Sequence, residues 1–287
     1  MLPTSPSTSS AAAAAPISVP CDRCRTPFTP KLVLTPADRT ACTYHPQRAY
    51  MQATPGQAAR TRLHPCCGGD TVQRGCCTGA HVFKESMFAV LHARIPFAVL
   101  PETGVDGVEV LKAVGVDCEM SYTAGGMECT RVSVVALDGS VVVDELVKPQ
   151  YPVVDLNTQW SGVTDLSTAK YTLSQLHTLL ASRGITRRTI LIGHGLENDL
   201  NALRLLHARC IDTAILVPKR APAHAEPRPG VVWKHSLRVL VERLLGRRIQ
   251  TGVQAAGHDS AEDARAAVEV CLFCVREMSK GRTVAVE

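Results

Sequence analysis

The chain has 287 residues, 45% of them apolar and only 4% aromatic, with a formal net charge of +5 at neutral pH. That length holds a medium domain plus a small one, with a core built from Val, Leu, Ala and Ile. The sequence has no run of about 18 to 20 apolar residues to span a membrane, and its N-terminus lacks the basic and apolar regions of a signal peptide. Its first twenty residues also lack the Arg of a mitochondrial presequence, so the expectation is an intracellular protein of the nucleus or cytoplasm, not a secreted one. The positive balance is compatible with a polyanionic partner without arguing for one.

Residues 1–20 are Ser, Pro, Thr and Ala without pattern and read as a disordered tail. Residues 21–85 hold seven of the twelve cysteines and several histidines, with too little apolar periodicity to fold on burial alone. Residues 86–109 read as a linker with a short helix in "KESMFAVLHARIPF". From 110 to 278 the pattern is α/β. "VLKAVGVDCEM" is a first strand, and "ECTRVSVVAL" and "SVVVDELV" form a hairpin turning at Asp138-Gly139. "YTLSQLHTLLASRG" reads as a helix with Thr172 and Gln175 at capping-box spacing and Gly184 as its stop. "TILIGH" is a buried strand, "LENDLNALRLLHAR" a helix and "CIDTAILV" another strand. A Pro-rich loop over 218–230 follows, then a helix opened by Ser236, then a long amphipathic helix in "DSAEDARAAVEVCLFCVREMS". Residues 279–287 are a tail. Strands alternating with helices after a hairpin predict a mixed sheet covered by helices.

Cysteines gathered beside histidines read as metal ligands, not as a disulfide framework. The candidates fall in four pairs: Cys21 and Cys24, Cys42 and His45, Cys66 and Cys67, Cys76 and His81. Eight ligands suit two structural Zn²⁺ ions, for which knuckle-like pairs are the usual supply. Cys76 and Cys77 compete for one place, and His64 competes as well. Such ions would supply folding energy that a poor core lacks, and the block would also be a place for a protein or RNA partner. Cys118, Cys129, Cys210, Cys271 and Cys274 sit in apolar settings and are expected in the core.

Asp117 and Glu119 lie one residue apart in the first strand, so both carboxylates share a face. Like charges at that distance repel unless a cation lies between them. Asp199 stands just inside the helix after "TILIG", and His258 and Asp263 stand before and within the start of the last long helix. In α/β sheets functional groups collect at such junctions. Four carboxylates with oxygen-only ligation suit two Mg²⁺ or Mn²⁺ ions, which stabilise both the attacking and leaving oxygens of a phosphodiester. His258, whose residue type exchanges protons readily in the neutral range, would be the general base.

This set resembles the DEDDh family of 3′→5′ exonucleases, through "VGVDCEM", "LIGHGLENDLNAL" and "AAGHDSAEDARAA". "WSGVTDL", "HARCIDTAIL" and "KHSLRVLVERLLGRRIQ" are similar to the fungal RNA exonucleases that trim structured small RNAs, and to their animal relatives. The resemblance implies a ribonuclease H-like fold over residues 110–278, metal-binding Asp117, Glu119, Asp199 and Asp263, and catalytic His258. It further implies release of 5′-nucleoside monophosphates from RNA with a free 3′ end, with Met120 packing against the terminal base or simply in the core. Asp212 is left to the sheet edge or the metal shell. The pattern of the Cys/His block resembles the CHORD-like zinc modules. Two other readings remain at this stage: a DNA 3′→5′ exonuclease of the same fold, and a non-catalytic, zinc-dependent adaptor that binds RNA ends. Arg183, Arg187 and Arg188, and Arg243, Arg247 and Arg248, are either phosphate contacts or ordinary solvated helix ends.

Overall fold

A computed structural model describes residues 18–53, 60–221, 232–251 and 257–286. Residues 1–17 of the expected tail, 222–230 of the Pro-rich loop and terminal residue 287 lie outside the described residues. The chain divides into two compact units, Met1–His81 and Val82–Glu287. Among the described residues no helix is long and apolar enough to cross a membrane.

In the larger unit seven strands make one sheet. They are β1 (Ala113–Thr123), β2 (Gly126–Ala136), β3 (Val141–Lys148), β4 (Val153–Asp155), β5 (Tyr171–Thr172), β6 (Ile190–Gly193) and β7 (Cys210–Asp212). The order is β5-β3-β2-β1-β6-β7, with β4 pairing β1 off that path. β1, β2 and β3 run antiparallel in turn, whereas β6 lies parallel to both β1 and β7. This is the mixed sheet flanked by helices that the sequence implied. The helices are α1 (Phe88–Arg94), α2 (Thr158–Ser161), α3 (Leu173–Ser182), α4 (Leu196–Leu203), α5 (Thr213–Leu216), α6 (Leu237–Leu240) and α7 (Ser260–Ser279).

β1 is covered on both faces, so it reads as a near-continuous apolar run. Val114, Val116 and Cys118 pack with Leu176 and Leu180 of α3 and Leu196 and Leu203 of α4. Each such leucine contributes about 1.5–3 kcal/mol by full burial. On the opposite face, α7 lays Ala264, Ala267, Val268 and Cys271 against Val135 and Ile192. Residues 115, 117 and 119 point to that second face by strand alternation.

The capping box of α3 forms as expected, with Thr172 accepting from the Gln175 backbone N–H and the Gln175 side chain reaching back to Thr172. Several elements end earlier than periodicity predicts. α4 stops at Leu203 because Arg204 adopts a left-handed conformation, φ 50°, and is buried with its guanidinium facing the Phe97 ring. β7 stops at Asp212, whose side chain caps α5 by accepting from the Ala214 N–H at 2.9 Å. The helix opened by Ser236 continues past Leu240 as a π-helical turn, Val241–Leu245.

Residues 86–109 are not a free linker. Ala98 donates to the Arg204 carbonyl and accepts from the Leu206 N–H, and Leu100 is buried in the core beside β1. The boundary between units falls at His81, before the Lys84-Glu85 end of the expected Cys/His block. Cys118, Cys129, Cys271 and Cys274 are buried as expected, whereas Cys210 is exposed because it opens β7 at the sheet edge.

Gly115 sets how closely α7 crosses β1. A Cβ there would lie 2.6 Å from Val268 Cγ2 and 2.7 Å from the Ala264 carbonyl oxygen. Gly115→Ala is therefore expected to cost about 1–3 kcal/mol as an overpacking change, read as a lowered urea midpoint. An unchanged midpoint would contradict this close approach.

Candidate active site and metal-binding clusters

Two helix starts and one strand bring the acids together. Gly193, at the end of β6, would place a Cβ 2.6 Å from Leu196 Cδ1 and 3.1 Å from the Val116 carbonyl, so α4 begins close against β1. Asp199 Oδ1 then accepts from the Cys118 backbone N–H at 2.9 Å, directly between Asp117 and Glu119 in the chain. From the other face α7 supplies Asp263, which is buried. His258 Nδ1 lies 3.5 Å from Asp263 Oδ2, with the histidine side chain 39% exposed.

The electrostatics describe carboxylates held together against their own repulsion. Burial, followed by the charges of Asp199, Asp263 and Glu119, holds the Asp117 carboxyl well above the ordinary range. Burial and then Asp263 push Glu119 up to about 8, although Arg131 pulls the other way. Burial also raises Asp199 to about 7 against the pull of the Cys118 N–H. Glu119 Oε1 is buried without a hydrogen-bond partner. An orphaned acceptor among crowded carboxylates is a donor set that fits divalent cations.

Three residues that pattern reading did not single out shape this site. Gln250, at φ 56°, donates its side-chain amide to both oxygens of Asp263, at 3.1 and 2.9 Å. Trp160 accepts from the His258 backbone N–H at 3.1 Å, and its half-exposed ring lies edge-on to the imidazole at 6.4 Å. Arg131 bonds Asp144 through two nitrogens at 2.9 Å and reaches Asp259 at 3.2 Å. Beside it, Ser133 and Ser260 share a buried 2.6 Å hydrogen bond. These contacts fasten the start of α7 to β2 and β3. The weak sequence signals were an isolated Trp in "WSGVTDL" and a polar Arg131 and Ser133 in an otherwise apolar strand.

Asp212 proves to be scaffold, since its Oδ1 accepts from the Gly195 and Ala214 N–H groups at 2.8 and 2.9 Å. Met120 packs partly buried against the core. The basic clusters are largely ion-paired: Arg187 and Arg188 with Glu102, Arg247 with Glu269, and Arg248 with Glu242.

In the smaller unit the eight Cys and His candidates fall into two groups of four. Cys21, Cys24, Cys42 and His81 form one, and His45, Cys66, Cys67 and Cys76 form the other, with ligand atoms within 4.8 Å of one another in each. Cys77 belongs to neither, and His64 stacks on His45 with ring centroids 3.8 Å apart. Cys21 and Cys42 Sγ atoms are 3.7 Å apart, and Cys66 and Cys76 Sγ atoms 3.5 Å. A tetrahedral ion with bonds of about 2.3 Å to sulfur spaces its ligands by about 3.8 Å. The Cys42–His45 and Cys76–His81 pairs are not knuckles. Each is split between the groups, because residues 42–44 pair antiparallel with 77–79 and this ladder runs from one group to the other.

No family model matches the chain. It is 37% identical over 272 residues to "RNA exonuclease 3" of Schizosaccharomyces pombe, covering 90% of this chain and 45% of that protein. Over most of its length the chain is similar to proteins named RNA exonucleases. It is also 38% identical over 259 residues to "RNA exonuclease 3" of Eremothecium gossypii, covering 87% of this chain and 61% of the relative. The likeness is not confined to fungi, since human "RNA exonuclease 1 homolog" is 38% identical over 230 residues, 77% of this chain and 18% of that protein. A match over 90% of the chain includes most of the Cys/His unit. The chain spans roughly half the length of the RNA exonuclease 3 relatives, 45% and 61% of the two named. Among solved structures, the Neurospora crassa Pan2 catalytic unit aligns with a TM-score of 0.49 at 23% identity, covering 70% of this chain and 32% of that one.

Two measurements probe these sites. The folded values of Glu119 and Asp199 exceed their ordinary values of 4.5 and 3.8, so protonation favours the metal-free fold. That contribution is complete below the ordinary values and is lost as the pH rises through about 7 and 8. Thermal stability in magnesium-free buffer should therefore fall between pH 5 and pH 8.5, while Mn²⁺ affinity measured by calorimetry rises over the same window. A flat affinity would remove these carboxylates from the metal shell. Metal analysis should give two tightly held ions per chain in the smaller unit, one lost in Cys21→Ser, the other in Cys76→Ser, and neither in Cys77→Ser.

Proposed function

We propose that the chain is a 3′→5′ exoribonuclease that trims the 3′ ends of small structured RNAs by two-metal-ion hydrolysis and releases 5′-nucleoside monophosphates. The observation that carries this reading is the convergence of Asp117, Glu119, Asp199 and Asp263 in mutual repulsion, with His258 at the rim. In this reading the four acids hold two Mg²⁺ or Mn²⁺ ions. When bound, the ions polarise the scissile phosphate and offset charge on the attacking and leaving oxygens.

His258 takes the proton of the attacking water, and its exposed edge gives that water access. The Trp160 carbonyl fixes the backbone of His258, and Gln250 orients Asp263 beside it. The similarity to proteins named RNA exonucleases favours RNA over DNA. The two Cys/His groups are read as structural Zn²⁺ sites of a CHORD-like module, on the strength of their thiolate-rich composition. Residence in the nucleus or cytoplasm belongs to the same proposal, since six clustered thiolates need a reducing compartment to stay metal-bound.

Incubating 3′-labelled RNA and DNA side by side with Mg²⁺ tests the reading. RNA should shorten from its 3′ end to mononucleotides, and Asp117→Ala should lower kcat by orders of magnitude with little loss of stability. His258→Ala should bind Mn²⁺ normally and cleave about 10²–10⁴-fold more slowly, the range for one lost acid–base group. Preferential digestion of DNA would move the substrate assignment. Binding of ends without cleavage would instead make the chain an adaptor.

A further inference from the structure

The formal charge of the chain is not shared between its units. Residues 1–81 hold eight Lys and Arg against three Asp, a balance of +5, while residues 82–287 hold 23 basic and 23 acidic side chains. Two divalent ions on six thiolates would lower the first figure to +3 and leave the unit clearly cationic. All three acids of the smaller unit are already engaged. Asp22 pairs with Arg25 and Asp38 with Lys31, and Asp70 accepts from the backbone N–H groups of Val72 and Gln73. The arginines of the larger unit's two clusters are, by contrast, mostly tied to acids of their own unit.

Arg39 and Arg74 also have no acidic partner among the described residues, but Arg48, Arg60 and Arg62 lie on or just before a single ribbon. Tyr50–Ala53 and Arg60–Leu63 form an antiparallel pair in which Arg62 stands opposite Met51. Arg60 and Arg62 are two residues apart, so they project from the same face about 7 Å apart. Both are exposed, as is Arg48 just before the ribbon. Among the described residues none of the three has an acidic partner, and the Arg62 Nε donates only to the Ala49 carbonyl. A row of unpaired guanidinium groups at strand spacing is complementary to the phosphates of an extended nucleic-acid strand.

We propose that the Cys/His unit is a backbone-anchoring module for single-stranded RNA, with Arg48, Arg60 and Arg62 as its phosphate contacts. It reads no sequence, because guanidinium–phosphate contacts carry none. By holding the strand it raises the local concentration of RNA for the unit that works on the 3′ end. This inference rests on the exoribonuclease reading for the identity of the polyanion.

The test uses the full chain and a 20-nucleotide single-stranded RNA without Mg²⁺ or Mn²⁺, so the strand stays intact. Anisotropy is followed across a range of KCl concentrations. Each phosphate contact to a single strand contributes about 0.7 to the slope of log affinity against log salt. The triple Arg48→Ala, Arg60→Ala, Arg62→Ala variant should therefore lose about 2 from the slope, and the corresponding triple Lys variant should keep it. Arg183→Ala, Arg187→Ala, Arg188→Ala, which removes the same charge from the other unit, should leave the slope unchanged. Ion content confirms that each variant is folded, and Arg60→Gln, a side chain with no hydrogen bond or ion pair to lose among the described residues, should alone remove about 0.7. An unchanged slope in the ribbon variants overturns the proposal. So does a loss of affinity confined to an acidic peptide such as poly-glutamate, which would make the ribbon a protein-docking face. Cleavage of a trinucleotide with Mg²⁺ is measured in parallel. Its absence in the parent chain sinks the exoribonuclease reading while the binding result still decides the ribbon's role.

Discussion

Buried carboxylates that repel one another are the constraint around which the larger unit is arranged. Asp117, Glu119 and Asp199 are all held above their ordinary ionisation range. Such a cluster opposes folding unless the scaffold is stable enough to carry it and a cation relieves it. The fold meets the first need by putting β1 in mid-sheet, with β2, β3 and β5 on one side and β6 and β7 on the other. It meets the geometric need through missing side chains. At Gly115 and Gly193 any Cβ would collide with α7 or α4, so both helices can approach β1 closely enough to deliver Asp263 and Asp199.

The start of α7 is held more firmly than helix capping alone requires. Asp259 caps the helix and is gripped by Arg131, while Ser260 bonds Ser133 inside the protein. Asp144 ties Arg131 and Ser133 together from β3. His258 and Asp263 flank this anchored segment. The arrangement fixes the angle at which α7 presents Asp263 while leaving the imidazole at an exposed edge. A rigid acid beside an accessible base is what proton transfer from a metal-activated water would need.

Elements with one dominant local signal were legible in the sequence, and those decided by tertiary contacts were not. The Thr172 capping box, the β2–β3 hairpin and the long amphipathic α7 follow from local chemistry and stand where the pattern puts them. α4 and β7 end early because a buried Arg204 and the Asp212 cap override periodicity. Residues 86–109 look like a linker, since a strand-like bridge at Ala98 has no signature in one segment alone. Among functional groups, the paired acids announced themselves by charge in an apolar run. Gln250 and Trp160 did not, because their roles depend on which atom of a distant residue they meet. The partition of the eight Cys and His residues was hidden for the same reason. Spacing suggests that Cys42 and His45 share an ion, but an extended strand carries them to opposite ends of a ladder.

The two units solve the stability problem by different physics. The larger one buries three apolar clusters, one on each face of its sheet and one between α7 and the helical turns of 237–245. In the smaller one, the buried apolar side chains among the described residues are only Cys21, Cys42 and Ala80. A core of that size cannot offset the ordering entropy of some sixty residues, at about 1–2 kcal/mol each for the backbone. Its two Cys/His groups could each hold an ion, and ions bound there would supply the missing free energy and couple folding to metal supply. Excess positive charge adds self-repulsion to the same balance. A unit with almost no core and an unpaired arginine row is costly to keep folded, and that cost is intelligible if the row meets a polyanion. Metal ligation then does for the smaller unit what the sheet does for the larger: it holds charged groups where a solvent-averaged chain would not leave them.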